Sequence, residues 1–184
     1  MRFLETAIAG VWIQNPLRFP DTRGTFEEQF KASLIVKELG RDFPVLQVNQ
    51  SVSNKGAVRG IHWTVGPNGQ AKYVSCVQGL IWDVYVDLRK DSTTYGQWGS
   101  EFLSSESGKS LFISEGIGHA FLALEQGTVV NYLCTSEYEP SADRTINPLD
   151  PDLAIPFLAV ATENDISELV ISDKDLAGAT FLSI

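Results

Sequence analysis

Histidine, methionine and cysteine are all scarce in this sequence of 184 residues, which holds two histidines, one methionine and two cysteines. Cys76 and Cys134 lack the CxxC spacing of a zinc site. Because they stand in apolar, strand-like segments, they are expected to be buried free thiols. No apolar run approaches the roughly 20 residues of a membrane helix, and Glu5 stands where a signal peptide would have its apolar core. The sequence therefore predicts a cytoplasmic protein that does not span a membrane.

Positive charge is also in deficit, with 14 Lys and Arg against 23 Asp and Glu, a formal net charge of −9. A nucleic-acid binder needs a basic face to displace the counterions of phosphates, so this class is disfavoured. A small basic pocket for one phosphate-bearing ligand remains compatible with that charge. No glycine-rich phosphate loop or dinucleotide fingerprint occurs, so no redox cofactor is indicated. The length fits a single domain spanning residues 1–184.

The pattern of apolar residues predicts few helices. Phe26, Phe30, Leu34 and Ile35 recur at helical spacing before Gly40, which predicts one early helix that stops there. A shorter helical segment is predicted near residues 151–154, and another turn in the C-terminal tail. Most of the remaining chain alternates between apolar and polar residues or is rich in β-branched and aromatic residues, as in residues 80–89 and 129–133.

Many short strands separated by Gly, Asn and Pro turns favour a sandwich or a barrel, and a jelly roll is the commonest closed solution for about eight strands. We therefore predict a mainly β protein, a cupin-like double-stranded β-helix (jelly roll) with a few short helices. One strand has an unbroken polar face formed by Gln47, Asn49, Ser51 and Ser53. This face is either solvated or the lining of a ligand cavity.

Four side chains in strand-like segments stand out as candidates for chemistry: His62, Lys72, His119 and Tyr132. Singly, each has an ordinary structural explanation, such as a hydrogen-bonded core histidine, a lysine snorkelling from a strand edge or a packed tyrosine. The His-x-His motif of metal-binding jelly rolls is absent after His62, so a metal site is disfavoured, and nothing marks a nucleophile as activated. Together, a His, a Lys and a Tyr suit proton abstraction beside a carbonyl, with an imidazole base, a cation for the enolate and a phenol as second acid.

The sequence resembles the dTDP-4-dehydrorhamnose 3,5-epimerases, which are cofactor-free enzymes of sugar-nucleotide metabolism. The resemblance runs from about residue 10 to residue 175. It rests on several motifs in the right order, which are DTRGTFEE at 21–28, QVNQSVS at 47–53, RGIH at 59–62, QAKYV at 70–74, DVYVDLR at 83–89, STTYGQW at 92–98 and GIGHAF at 116–121.

The resemblance implies a jelly-roll homodimer that needs no cofactor or metal and holds a dTDP-4-keto-6-deoxyhexose inside the barrel. It implies that His62 is the base that removes a proton beside the 4-keto group, and that Asp175 pairs with this histidine. Lys72 would face the 4-keto oxygen with Arg59 nearby, and Tyr132 would be the acid on the other face of the sugar ring.

The resemblance also implies substrate-binding roles for further residues. Arg23, Phe26 and Glu28 match a segment that reaches the nucleotide from the partner subunit. His119, with Asp83, matches a polar pair in the barrel. The remaining matches are the polar-strand residues Gln47, Asn49 and Ser51 and the aromatic Tyr138.

The expected reaction is conversion of dTDP-4-dehydro-6-deoxy-D-glucose to dTDP-4-dehydro-L-rhamnose by epimerisation at C3 and C5. The sequence departs from many relatives at Trp63-Thr64, where they have an aromatic followed by Gln, and at residues 154–157, which replace a Trp-Pro ending. Epimerisation at C3 or C5 alone, in a secondary-metabolite pathway, is therefore an open alternative. Two others are a non-catalytic sugar-nucleotide binding module and a metal-dependent cupin enzyme.

Overall fold

The structure of the protein is a computed structural model that describes residues 2–66 and 69–184. Strands dominate it, and the fold is a jelly roll, as predicted. The strands are β1 (Arg2–Glu5), β2 (Val11–Asn15), β3 (Arg18–Asp21), β4 (Gly24–Glu27), β5 (Gln47–Ser53), β6 (Ala57–Thr64), β7 (Lys72–Gln78), β8 (Leu80–Asp87), β9 (Trp98–Ser104), β10 (Ser110–Ile113), β11 (Ile117–Ala123), β12 (Thr128–Cys134), β13 (Asp143–Thr145) and β14 (Val170–Ile171). The helices are α1 (Ala32–Leu39), α2 (Phe157–Glu163), α3 (Asp173–Leu176) and a 3-10 turn (Phe181–Ser183).

Two sheets of antiparallel strands form the body of the molecule. The first has the order β1-β2-β10-β7-β12-β5, and the second has the order β13-β6-β11-β8-β9, with β14 added in parallel to β6. Strands β3 and β4 form a separate two-stranded hairpin. Strand β5 pairs only with β12 within the first sheet, so its other edge is unpaired among the described residues.

The core has three layers because both sheets are covered. Between the sheets, Val74 and Leu111 of the first pack with Ile81 and Phe121 of the second. The C-terminal segment covers the far face of the second sheet, where the Phe157 ring meets that of Trp82 edge-on, with centroids 5.3 Å apart. Helix α1 covers the far face of the first sheet with Ile35, which packs in a cluster with Phe43, Tyr73 and Phe112. Strand β8 is consequently buried on both faces.

The early helix is shorter than the apolar spacing predicts. Phe26 belongs to β4, where it pairs with Phe19 across the hairpin, so helix α1 begins only at Ala32. The predicted stop is confirmed, because Gly40 adopts a left-handed φ of 66° directly after the helix.

The helical segment predicted at residues 151–154 is wrong. These residues form turns that end at Ala154 with a φ of 48°, and the helix α2 follows instead. A proline after Ile155 disfavours helical backbone at that residue, so the helix begins only after Pro156. The predicted turn in the tail is confirmed by the 3-10 turn. In the described parts of the chain, no helix has the length and apolar character needed to cross a membrane.

Candidate active site

A cavity of about 500 Å³ lies at one end of the space between the two sheets. The polar face of β5 contributes to its wall, which resolves the choice between a solvated face and a cavity lining for Asn49 and Ser51. Of the residues predicted for the site, those that line the cavity are Asn49, Ser51, Arg59, His62, Lys72, His119, Tyr132, Tyr138 and Asp175.

His62 and Asp175 form an imidazole–carboxylate pair, with 2.7 Å between Nε2 of His62 and Oδ1 of Asp175. His62 lies on β6, and Asp175 lies in helix α3, whose N-terminal Ser172 accepts a hydrogen bond from the Asp175 backbone N–H. The second carboxylate oxygen accepts a longer 3.4 Å bond from the Gly60 N–H. Burial acts to raise the pKa of Asp175, but the bonds from His62 and Gly60 hold it below its ordinary value. An ionised Asp175 fixes the hydrogen of His62 on Nε2 and leaves the Nδ1 lone pair available as a base.

Lys72 is the first residue of β7 and lies in register with Cys134 of β12. Among residues 2–66 and 69–184, no carboxylate lies within salt-bridge distance of its ammonium group. Burial lowers the pKa of Lys72, and the charge of Asp143 opposes this shift. An ammonium group without a protein counter-ion beside a cavity is a strong electrostatic partner for a developing oxyanion.

Tyr132 lies on β12, at the centre of the cavity wall formed by the first sheet. Its hydroxyl lies 3.2 Å from the Ser51 hydroxyl, and its ring meets that of His119 edge-on, with 6.0 Å between the centroids. Burial raises the pKa of Tyr132 well above its usual value of 10.0. The side chain is therefore a neutral phenol at physiological pH, able to donate a proton.

Arg59 extends from β6 and is held by neutral groups of β5. Its Nε donates to the Ser53 hydroxyl at 3.0 Å, and one terminal nitrogen donates to the Val52 carbonyl at 3.2 Å. Neither partner neutralises the guanidinium charge, which stays available to an anionic ligand.

The second histidine of the chain is also paired with a carboxylate. His119 Nε2 lies 2.8 Å from Oδ2 of Asp83, and both side chains are buried. Burial raises the pKa of Asp83, and His119 opposes that shift. This pair sits deeper in the barrel than His62 and lies against Tyr132. In the described parts of the chain, no three His, Cys, Asp or Glu side chains form a group that could hold a metal ion.

Gln47 does not line the cavity but holds two residues that do. Its side-chain amide donates to Asn49 Oδ1 at 2.7 Å, and its carbonyl oxygen accepts from the Tyr138 backbone N–H at 2.7 Å. Sequence reasoning missed Asp143 and Lys174, which also line the cavity and form an ion pair of 2.9 Å. For Lys174, the available signal in the sequence was its position directly before the predicted site residue Asp175.

Besides Gln47, three residues predicted for the site do not line this chain's own cavity. Arg23 is exposed at the end of the β3–β4 hairpin and pairs with Asp21, and the Phe26 ring is 68% exposed. Glu28 follows the hairpin and pairs with Lys31. Contact of these residues with a partner's ligand stays a prediction.

A jelly-roll cavity that combines an imidazole–carboxylate pair, an uncompensated lysine and a neutral phenol has the groups of an enzyme that moves protons to and from carbon. Proton transfer of this kind, without net oxidation, is the chemistry of an isomerase.

Comparison with known proteins identifies the particular family. The family model described as dTDP-4-dehydrorhamnose 3,5-epimerase matches residues 5–183, and the chain belongs to this family of isomerases. It is 41% identical to the dTDP-4-dehydrorhamnose 3,5-epimerase of Mycolicibacterium smegmatis over 93% of this chain and 81% of that protein. It is 43% identical to a dTDP-4-dehydro-6-deoxyglucose 3-epimerase of Streptomyces bikiniensis over 92% of this chain and 83% of that protein.

A solved structure agrees with these sequence relatives. The dTDP-6-deoxy-D-glucose-3,5-epimerase of Legionella pneumophila, in complex with dTDP-4-keto-L-rhamnose, superposes with a TM-score of 0.90 at 34% identity. The match covers 100% of this chain and 94% of that one. The predicted family and the jelly-roll fold are therefore confirmed.

Proposed function

We propose that this protein epimerises dTDP-4-dehydro-6-deoxy-D-glucose at C3 and C5 to dTDP-4-dehydro-L-rhamnose. The observation that carries the proposal is the His62–Asp175 pair at 2.7 Å in the same cavity as Lys72 and Tyr132. Carbons beside a ketone are acidic enough for an imidazole to deprotonate when the enolate is stabilised. The reaction moves protons only and therefore needs no electron acceptor.

His62 removes the proton in the first step. Asp175 holds the hydrogen on Nε2 and stabilises the imidazolium that forms when Nδ1 takes the proton of the sugar carbon. The C–H electron pair moves into the ring to form the enolate, and the negative charge develops on the 4-keto oxygen. Lys72 donates a hydrogen bond to this oxygen. Within the described residues, no carboxylate neutralises the charge of the Lys72 ammonium group, which is therefore available to the oxyanion.

Tyr132 completes the inversion from the other face. Its phenol delivers a proton to the enolate carbon, so the new C–H bond forms on the side opposite His62. The phenol carries a proton to give at neutral pH, since its ordinary pKa of 10.0 is raised further by burial. Repetition at the second carbon, after the ring has changed its conformation, gives the doubly inverted product.

Incubation of the purified protein with the 4-keto sugar nucleotide in deuterated water tests the reaction. Deuterium at both C3 and C5, located by NMR, supports the proposal. Deuterium at one carbon only supports the single-position alternative, which the 43% identical 3-epimerase of Streptomyces bikiniensis favours. Incorporation at neither carbon contradicts both reactions.

The diphosphate of the substrate must be bound locally, because a protein of net charge −9 does not attract an anion over long distances. Arg59 supports such binding, since its guanidinium is held by the neutral Ser53 and Val52. We propose that Arg23 of a second subunit adds to this cluster. The net charge of −9 also argues against nucleic acid as a partner.

We propose that the protein is a homodimer. Apolar side chains are exposed along the outward face of β5, where Val48 is 60% and Val52 is 61% exposed, and the edge of this strand is unpaired among the described residues. The hairpin adds the exposed rings of Phe19 and Phe26, whose centroids lie 6.3 Å apart. Water-exposed apolar surface next to an unpaired strand edge favours association with another protein surface. The hairpin would carry Arg23, Phe26 and Glu28 to the partner's cavity.

Subunit mixing tests this arrangement. Arg23→Ala and His62→Asn each damage a different half of a shared site, so each homodimer should be impaired. In a mixed dimer, one site receives both damaged residues and the other receives neither. Random mixing of equal amounts should therefore restore about a quarter of wild-type activity. Activity that stays at the sum of the separate variants contradicts a shared site, and sedimentation as a monomer contradicts the dimer itself.

We also propose that residues 1–184 act as one domain in the cytoplasm. The shared core between the two sheets supports the single domain, since its residues come from most of the length of the chain. The free thiols of Cys76 and Cys134 support the reducing compartment. Cell fractionation tests the compartment, and a single cooperative unfolding transition tests the domain.

A further inference from the structure

Ser51 contacts Tyr132 inside the cavity, although the sequence predicts a substrate-binding role for it. The two hydroxyl oxygens are 3.2 Å apart. Tyr132 pairs with Asn49 in the β5–β12 ladder, and Ser51 is two residues further along β5. Side chains alternate across a strand, so Ser51 is the diagonal neighbour of Tyr132 on the cavity face. Within residues 2–66 and 69–184, Ser51 is the one hydrogen-bond partner of this hydroxyl.

The surroundings of the Tyr132 phenol disfavour its ionised form, so a nearby hydrogen-bond donor would stabilise the phenolate. Burial and the charge of Asp83 raise the pKa of Tyr132, whereas Ser51 and Arg59 lower it. The ring of His119 packs edge-on against the phenol ring. When Tyr132 gives its proton to carbon, a phenolate is left at a position where burial disfavours the charged form. A hydrogen bond donated to an ionised oxygen is about twice as strong as a bond between neutral groups.

We infer that Ser51 is the positioning residue of Tyr132, which orients the phenol towards the sugar and stabilises the phenolate that reprotonation leaves. The inference rests on the proposed function. In this step the Tyr132 O–H bond breaks and a C–H bond forms with the electron pair of the enolate, while the O–H pair stays on the phenolate. A serine hydroxyl can accept from the phenol and then rotate to donate to the phenolate. Ser51 keeps its own proton, and solvent water later returns one to Tyr132.

This role differs measurably from direct binding of the substrate. A group that binds the sugar equally before and during reaction changes KM, and its loss slows exchange and inversion alike. A group that acts through Tyr132 changes only the delivery of the proton to the second face. Proton removal by His62 continues without it. The ratio of deuterium exchange to completed inversion therefore separates the two roles.

The test compares Ser51→Ala with Ser51→Thr, each in the wild-type and the Tyr132→Phe background. We expect Ser51→Ala to slow inversion by about 10- to 100-fold, as expected for a hydrogen bond to a charged group. Exchange and KM should stay within about twofold of wild type. Ser51→Thr keeps a hydroxyl and suits a strand, so it should restore inversion. In the Tyr132→Phe background, Ser51→Ala should have no further effect, because its partner is already lost.

Three results would overturn the inference. One is a Ser51→Ala variant with inversion as fast as wild type. Another is a parallel loss of exchange and inversion with a raised KM, which marks a substrate contact. The third is a full effect of Ser51→Ala in the Tyr132→Phe background. A wild-type protein that exchanges no proton contradicts the proposed function itself, which separates that failure from failure of the Ser51 role. Thermal unfolding of each variant, set against Ser51→Thr, distinguishes a folding defect from a kinetic one.

Discussion

Replacement of Asp175 by Asn is the most informative single change in the proposed base. The two oxygens of Asp175 accept from different donors, Oδ1 from His62 at 2.7 Å and Oδ2 from the Gly60 N–H at 3.4 Å. An amide has only one acceptor oxygen. If that oxygen faces His62, the amide nitrogen faces the Gly60 N–H, and two donors oppose each other. If the amide is reversed, its nitrogen donates to Nε2, and the hydrogen moves to Nδ1, where the base lone pair is needed.

The size of the effect follows from the charge that is lost. A hydrogen bond to a charged group contributes about 1.5–3 kcal/mol, equivalent to about 10- to 150-fold in rate. The His62 side chain is 36% exposed to the cavity. Because exposure to water weakens such a bond, we expect the lower part of this range, about 10- to 50-fold in kcat. KM should change little, since Asp175 is almost wholly buried and its carboxylate oxygens are bonded to His62 and Gly60.

The assay is deuterium exchange at C3 and C5 of the substrate, followed by NMR. Asp173→Asn is the matched control, because Asp173 lies in the same turn of helix α3 but is exposed. The control should exchange at the wild-type rate and the Asp175 variant should not. If Asp175→Asn exchanges at more than half the wild-type rate while remaining folded, the carboxylate does not support the base.

Other changes test the remaining groups. Lys72→Met keeps the bulk but removes the charge, so it should lower kcat by at least about 100-fold with a smaller change in dTDP affinity measured by calorimetry; an equal loss of both would make Lys72 a binding residue. Tyr132→Phe should slow inversion by about 10²- to 10⁴-fold while exchange persists, and equal loss in the NMR assay would show that the phenol also orients the substrate. Asp87→Asn concerns stability: burial acts to raise the pKa of Asp87, but Arg89, Ser92 and Thr94 together hold it well below its ordinary value of 3.8. The ionised carboxylate therefore stabilises the fold fully above that value and progressively less as pH falls below it. In thermal unfolding, the Asp87→Asn variant should have a lower midpoint temperature than the wild type at neutral pH, and that temperature should depend less on pH below about 4. Parallel plots of midpoint temperature against pH for the two proteins would contradict this.

The β-strands could be predicted well where the sequence alternates. The strand predicted from the polar residues Gln47 to Ser53 has the same bounds as β5, and the period-two run beginning at Leu80 is β8. The helical spacing of Phe26 and Phe30 led to a wrong helix start because the two apolar rings lie in different surroundings. Phe26 is an exposed hairpin residue, whereas Phe30 packs against Phe43 and Tyr73 beneath helix α1. Periodicity cannot separate a buried ring from an exposed one that serves another surface.

The candidate site, like the fold, could be predicted from the sequence only in part. The dyad of His62 and Asp175 joins residues 113 positions apart. Only the resemblance to a family indicated that pair, since no local pattern connects a strand residue with a short helix so distant in sequence. The contact between Ser51 and Tyr132 could not be predicted either, because it depends on the register of β5 against β12, which the alternation alone leaves open.

Deuterium incorporation at C3 of the 4-keto sugar nucleotide, measured for the wild-type protein and for His62→Asn, decides whether His62 is the base. An asparagine can retain a hydrogen bond to Asp175, so the variant should unfold at a temperature close to that of the wild type. We expect incorporation by the wild type and a rate at least about 100-fold lower in the variant. Equal rates in the two folded proteins would contradict it, because the proton would then be removed by a group other than His62.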